Sequence, residues 1–434
     1  MIILRNAWQK ITNSEFTRNV LFLMTGTTIS QAIPILASPV LTRLYTPEQY
    51  GTLGLFLALT SIFTVIASFR YELAIMLPAD DQDAINVFAL AVLITLTLSA
   101  VAFFVVVIFH DQLIGFLNNP DISIWLYYIP LMILLIGFYQ CMLYWHSRRK
   151  QYNKIATAEV ARGGVKVGTQ IGSAYTLPGI GTAGLITGAI AGQLTATILI
   201  WLQAKNDLKD KWSQINRKDI FIQAKLYIKF PLINAPHTLI GNLSDKLPIM
   251  LLTSFFSSQV AGFYSLSLVV VNLPSILISN ALGHVFYQQI SKNYCDGVDF
   301  YPLVVKCVKM LFLISIIPYI ILFLFAPYIF GFIFGWNWYE AGVYTRISIP
   351  WIIVRFIIAP LSYIPLTLGR QAKAFKLELL GIIATATALI VGGLMQDVIL
   401  SLILLSIFTF IIISYNLFWI ISLAKASNVL NSKE

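Results

Sequence analysis

Apolar residues along this chain fall in long, nearly unbroken runs rather than in short alternating stretches. The runs cover residues 19–41, 51–70, 84–109, 124–145, 155–177, 179–204, 226–253, 260–287, 305–330, 343–368, 374–395 and 398–423. Each reaches the roughly 20 residues that an α-helix needs to cross about 30 Å of hydrocarbon. Only helices and closed barrels satisfy their backbone polar groups inside a bilayer, and runs this long are helical. The pattern predicts an all-α integral membrane protein of about twelve transmembrane helices.

Composition agrees. Of the 434 residues 58% are hydrophobic and 11% charged, with mean hydropathy +0.79, whereas soluble domains carry about 25% charged residues. The net charge of +10 invites a nucleic-acid reading, which its distribution excludes. With a cytoplasmic N-terminus, 22 of the 29 lysines and arginines fall in cytoplasmic connections and only Arg43 in the opposite ones. That is the positive-inside bias, and it predicts that both termini are cytoplasmic. Cys141, Cys295 and Cys307, and His110, His146, His237 and His284, are scattered without metal-ligand spacing, so neither disulfide, metal nor cofactor is expected. Arg5 and Lys10 precede a polar stretch with no small-residue cleavage site, so the first apolar segment is expected to be a retained anchor.

The longest cytoplasmic connection, 205–225, divides the chain into an N-terminal six-helix lobe (1–204) and a C-terminal one (226–434). A shift of 211 residues lays Leu41-Thr42 on Leu252-Thr253, Gly51 on Gly262 and Leu55 on Leu266. Because six is even, both halves would insert in the same direction as a parallel repeat. Chance similarity between leucine-rich helices is the alternative.

The informative ionisable residues inside the runs are Glu159, Arg162 and Lys166, then Lys229, Asp245 and Lys246, then Arg346 and Arg355. Six such cations facing lipid would cost on the order of 15–20 kcal/mol on insertion scales. Two acids cannot neutralise six cations, so an anionic substrate in a wet, cation-lined cavity is the simplest remaining partner. At 100° per residue Glu159, Arg162, Lys166 and Gln170 share one stripe, and Gly164, Gly168 and Gly172 fall opposite. That arrangement predicts a wet polar face backed by a glycine ridge packed on a neighbour. Arg355 sits mid-run, whereas Arg346 and Lys229 lie near run ends, within snorkelling reach of the interface. Glu159, Asp245 and His237 are the places the sequence offers for a coupling ion or proton, although a mid-run histidine is more often a hydrogen-bonded core residue. Prolines 34, 39, 231, 236, 248, 350, 360 and 365 mark bendable first, seventh and tenth helices.

The stretches LTRLYTPEQYGTLGLF (41–56), RYELAIMLPADDQDA (70–84), RRKQYNKIATAEV (148–160), the run 230–275 and GHVFYQQISK (283–292) resemble the polysaccharide transporter family, the Wzx-type O-antigen flippases. The resemblance implies a flippase of the multidrug/oligosaccharidyl-lipid/polysaccharide superfamily, with two pseudo-symmetric six-helix lobes around a central cavity and no catalytic residues. It implies an undecaprenyl-pyrophosphate-linked repeat unit as substrate, membrane lipids as surroundings, and a polysaccharide polymerase and chain-length regulator as candidate partners. A cation-lined lumen would match Arg162, Lys166 and Arg355, with Lys229 and Arg346 as further substrate contacts. Asp245-Lys246 departs from the uncharged polar residues expected of that family's seventh helix. Three alternatives stand beside this reading. A multidrug exporter would want acidic cavity residues, a lipid II flippase shares the charge logic, and a membrane polymerase or ligase would want a long periplasmic loop.

Overall fold

The computed structural model describes residues 15–177, 179–275 and 298–431, together with 286, 289, 290, 292–294 and 296. Arg5, Lys10, Lys433, His284 and Cys295 lie outside the described residues. Every described element is helical: α1 Glu15–Leu44, α2 Pro47–Thr64, α3 Asp81–Leu117, α4 Ile129–Arg148, α5 Tyr152–Thr176, α6 Thr182–Lys211, α7 Arg217–Leu226, α8 Ala235–Phe255, α9 Ser258–Val271, α10 Tyr301–Phe334, α11 Tyr339–Ile358, α12 Gln371–Leu394 and α13 Val398–Asn431. Setting aside α7, which is too short to span, twelve helices match the twelve apolar runs.

Seven of the described helices (α3, α4, α6 and α10–α13) are long and apolar enough to cross a membrane on that evidence alone. The other five are shorter or carry the polar residues and prolines noted above. Proline shapes the departures from the runs, because it cannot donate its backbone hydrogen bond. Pro231 lies in a π-helix, Phe230–Asn234, that leads into α8. Pro360 and Pro365 break the tenth run into a 3-10 segment Ala359–Tyr363 and a single turn Ile364–Thr367. The second run ends early, at Thr64, and turns through Phe69 (φ 48°) and Arg70 (φ 66°).

The chain forms two compact units, Met1–Tyr45 with Phe56–Asn242, and Thr46–Leu55 with Leu243–Glu434. They do not part at 205–225, because that connection is tied into the first unit. Lys211 Nζ contacts Asp81 at 2.9 Å, and Asn216 N donates to Asn86 Oδ1 at 2.9 Å. Tyr71 Oη donates to the Ala224 carbonyl at 2.8 Å. Each unit has its own apolar core. Phe88, Met142, Trp145 and Ile200 lie at the centre of the first, and Leu311, Tyr319, Phe356 and Leu361 at the centre of the second.

Residues 46–55 belong with the second unit because of a reciprocal crossing. A Cβ on Gly51 would strike the Ser258 carbonyl, and a Cβ on Gly262 would strike the Pro47 carbonyl. Each would also stand 3.0 Å from the other glycine's amide nitrogen. Gly54 faces Ser265 Oγ in the same way, at 2.7 Å. Positions 47, 51 and 54 are the positions 258, 262 and 265 under the 211-residue shift, so the faint echo in the sequence is a contact between equivalent residues. Small residues allow backbones to approach this closely. Tyr50 stacks edge-on against Trp338 at 5.1 Å and Trp338 against Phe263 at 6.1 Å, which secures the segment.

Substituting either crossing glycine is therefore expected to destabilise the protein by similar amounts. Gly51→Ala and Gly262→Ala should each lose about 1–3 kcal/mol or more, the usual cost of overpacking. Gly164→Ala, where nothing lies within 4 Å of the added methyl, should be neutral or stabilising by up to about 1 kcal/mol. Thermal unfolding of the detergent-purified variants measures all three.

Candidate functional site

In the first unit the polar stripe of α5 is present but is packed rather than open. Glu159 is buried, accepts a hydrogen bond from Tyr139 Oη at 2.6 Å, and pairs with Arg162 one turn along. The Arg162 guanidinium also lies 5.6 Å from the Tyr139 ring centroid. Gln170 is buried and donates to the Leu185 carbonyl at 2.9 Å, while Tyr45 Oη donates to the Gln170 carbonyl at 2.6 Å. The half-buried Lys166 side chain has no carboxylate partner among the described residues.

The expected glycine ridge is on the wrong helix. Gly164, Gly168 and Gly172 face open space. The close packing comes from Gly184, Gly188 and Gly192 of α6. A Cβ at Gly192 would lie 2.6 Å from the Arg162 carbonyl and 2.8 Å from Lys166 Cβ, and one at Gly188 would lie 2.8 Å from the Lys166 carbonyl. The polar stripe therefore lies against α6, whose lack of side chains makes room for it, and the smooth glycine face of α5 is the exposed one. The signal that would have found this is GLITGAIAG (184–192), the same spacing on the next helix.

In the second unit Arg355 and Asp245, given separate roles by the sequence, are partners. Arg355 Nη2 lies 2.8 Å from Asp245 Oδ1, and the guanidinium lies 5.8 Å from the Trp351 ring centroid. Their side chains are 47% and 52% exposed, so the pair is open to competition from another anion. Lys246 has no carboxylate partner among the described residues. Arg346 donates to the Leu324 carbonyl of α10 at 3.2 Å. Lys229 is exposed just ahead of the π-helix. His237 is exposed too, in the first unit, rather than the core histidine that its mid-run position suggested.

Two of the six intramembrane cations are thus paired, which leaves Lys166, Lys229, Lys246 and Arg346 without a carboxylate among the described residues. The described residues hold no cluster of histidine, cysteine, aspartate and glutamate fit for a metal. Sequence reasoning missed one buried carboxylate, Glu72, which is joined to Arg70 at 3.2 Å and to Ser68. Burial raises its carboxyl above the ordinary range, while Ser68 and Arg70 pull it the other way. Arg70 Nε donates to Asn234 in the π-helix at 3.0 Å. Both halves of this cluster lie inside the stretches 70–84 and 230–275, but nothing in single-sequence spacing joins residue 70 to residue 234.

The fold is shared with several solved transporters. It matches a multidrug resistance MATE family transporter of the MOP superfamily in an inward-facing conformation, with TM-score 0.70 and 14% identity over 92% of this chain and 95% of that one. It matches the lipid II flippase MurJ, inward closed, with TM-score 0.70 and 14% identity over 95% and 90%. It also matches a MOP superfamily transporter from Pyrococcus furiosus described as having a binding pocket of reverse polarity, with TM-score 0.54 and 15% identity over 96% and 98%. Comparison with curated protein sequences gives no match. Residues 40–342, well over half the chain, match the family described as polysaccharide biosynthesis protein. The chain belongs to that family and is a multi-pass membrane protein. All five stretches that carried the resemblance, 41–56, 70–84, 148–160, 230–275 and 283–292, lie within the match.

The two ion pairs should respond differently to the loss of a partner. Arg162→Ala leaves the buried Glu159 charge uncompensated and is expected to destabilise the protein by about 3–5 kcal/mol; adding Glu159→Gln should restore most of that. Asp245→Asn and Arg355→Ala break a half-exposed pair and should each stay within about 1 kcal/mol of the parent. Thermal unfolding midpoints of the purified variants separate the two cases.

Proposed function

We propose that this chain flips undecaprenyl-pyrophosphate-linked oligosaccharide repeat units, of O-antigen or a related surface polysaccharide, from the cytoplasmic to the periplasmic leaflet. It works by alternating access along a cation-lined path in the bacterial inner membrane, with both termini cytoplasmic. The observation that carries this reading is the residual positive charge of the intramembrane helices, where Lys166, Lys246 and Arg346 have no carboxylate partner among the described residues. A lipid-linked pyrophosphate is multiply anionic and can shed water only where fixed cations and remaining water replace it. Lys166 is the cation whose place the fold defines best, held by α5 against the glycines of α6. Arg355 is the second, because its open pair with Asp245 allows a phosphate to take over the guanidinium fork.

Family membership in polysaccharide biosynthesis favours a glycan carrier over a drug exporter, and so does the sign of the charge, because cationic drugs call for acidic walls. Lipid II is itself a lipid-pyrophosphate-linked sugar, and the fold likeness to its flippase fits a carrier of such lipids. The candidate partners are the polymerase and chain-length regulator that would receive and size the units.

Loss of the gene should abolish surface polysaccharide while lipid-linked repeat units accumulate on the cytoplasmic face. Unpolymerised units in the periplasm would point to a polymerase instead. Among variants of normal abundance, Lys166→Ala should lower display about ten- to hundredfold, the worth of one charge-assisted contact of about 1.5–3 kcal/mol, and Lys166→Arg should retain part of it. Full activity in Lys166→Ala removes the cationic path at this position.

Orientation is checked separately. A cysteine at Asn337 should react with an impermeant thiol reagent once the outer membrane is permeabilised. Cysteines at Lys150 and Lys209 should react only after inner-membrane lysis. Reversal of the two sets would overturn the orientation with both termini cytoplasmic.

A further inference from the structure

Transport leaves one element unused. Helix α7, Arg217–Leu226, starts two residues after the 3-10 turn Trp212–Gln214 that ends the spanning helix α6. Leu226, its last residue, opens the next apolar run, 226–253, so α7 ends at the membrane surface. Asn216 caps it by accepting from Lys218 N at 3.1 Å. One face turns inward: Gln223 is buried, and the neighbouring Ala224 carbonyl accepts from Tyr71.

The opposite face is neither a soluble surface nor a protein core. At 100° per residue, Arg217, Phe221, Lys225, Lys218, Ile222 and Leu226 follow one another around about half the circumference. All six are exposed, the three apolar ones by 57–63%. Water-facing helices do not line up three large apolar side chains in this way. The cations lie between them, with the Lys225 ammonium 4.6 Å from the Phe221 ring centroid. Asp219, at the edge of the arc, is the one acid in the helix. Exposed Trp212 precedes the helix and exposed Lys229 follows it.

We propose that α7 is an interfacial anchor that binds the anionic phospholipid headgroups of the leaflet it lies on. Phe221, Ile222 and Leu226 enter the boundary of the acyl chains. The side chains of Arg217, Lys218, Lys225 and Lys229 reach outward to lipid phosphates, with their aliphatic stems covering apolar surface. Charge complementarity selects this occupant: an anionic leaflet attracts each juxtamembrane cation, whereas a neutral leaflet offers the apolar boundary alone. Because Asn216 and Ala224 are bonded to Asn86 and Tyr71, the same contact sets the depth at which that end of the first unit sits.

The full chain, with Cys295→Ser and Ile222→Cys, is spin-labelled and placed in nanodiscs of zwitterionic lipid alone or with about one third anionic phospholipid. The two remaining cysteines, Cys141 and Cys307, are buried. The ratio of oxygen to nickel-chelate collision rates at position 222 should rise severalfold in the anionic discs. Replacing Arg217, Lys218, Lys225 and Lys229 with glutamine should remove that rise. Exchanging lysine and arginine at the same four positions should keep it, and unfolding midpoints should be unchanged in both variants. A label that stays in water in both discs overturns the proposal. A depth that ignores lipid charge, or a glutamine variant that keeps the rise, also overturns the proposal. No glycan substrate is present, so the outcome is independent of the transport reading.

Discussion

A charge inside a bilayer must find an opposite charge, a dipole or water, and this constraint organises the rest of the structure. Glu159 can be buried because Tyr139 and Arg162 both serve its carboxylate. That bonding needs a neighbouring helix without side chains at the contact, and Gly184, Gly188 and Gly192 provide one. The guanidinium of Arg346 uses a backbone dipole, the Leu324 carbonyl of α10. Arg355 and Asp245 meet where both are half-exposed, so neither has been fully stripped of water. What pairing leaves over is positive.

The helices themselves were legible because a bilayer imposes a minimum length on each, and 434 residues at this hydropathy allow little else. Their ends were not, because the ends are set by prolines and by left-handed residues. The second run continues apolar past Thr64 although the chain turns through Phe69 and Arg70. The tenth continues through Pro360 although its α-helical part stops at Ile358. The division between units was missed for a related reason. A polar, charged connection such as 205–225 reads as a linker, yet Lys211, Asn216 and Ala224 bind it to residues 71–86. Pairings between distant residues have no periodic signature.

The site was half legible. Periodicity placed Glu159, Arg162, Lys166 and Gln170 on one stripe of α5, and they do share one. It could not say which of two adjacent helices would contribute the close-packed glycines, because α5 and α6 both carry them at four-residue spacing. The pairing of Arg355 with Asp245, 110 residues apart, could be foreseen only as an arithmetic demand that some acid meet some cation.

The reciprocal glycine crossing separates what the architecture requires from what it merely carries. Gly51 and Gly262 occupy equivalent positions and make the same contact from opposite sides, so the repeat has kept its packing. Its charges have not been kept. The fifth spanning helix of the first set, α5, carries Glu159, Arg162 and Lys166 along its middle. The fifth of the second set, α12, has no charged residue from 379 to 394. One architecture therefore accommodates at this rank a helix whose charges, Lys373, Lys376 and Glu378, stop after its first two turns, and the cost of intramembrane charge makes that the cheaper choice. The charge of Lys166, which no carboxylate among the described residues meets, is not demanded by folding, and the proposed anionic substrate gives a physical reason to keep it.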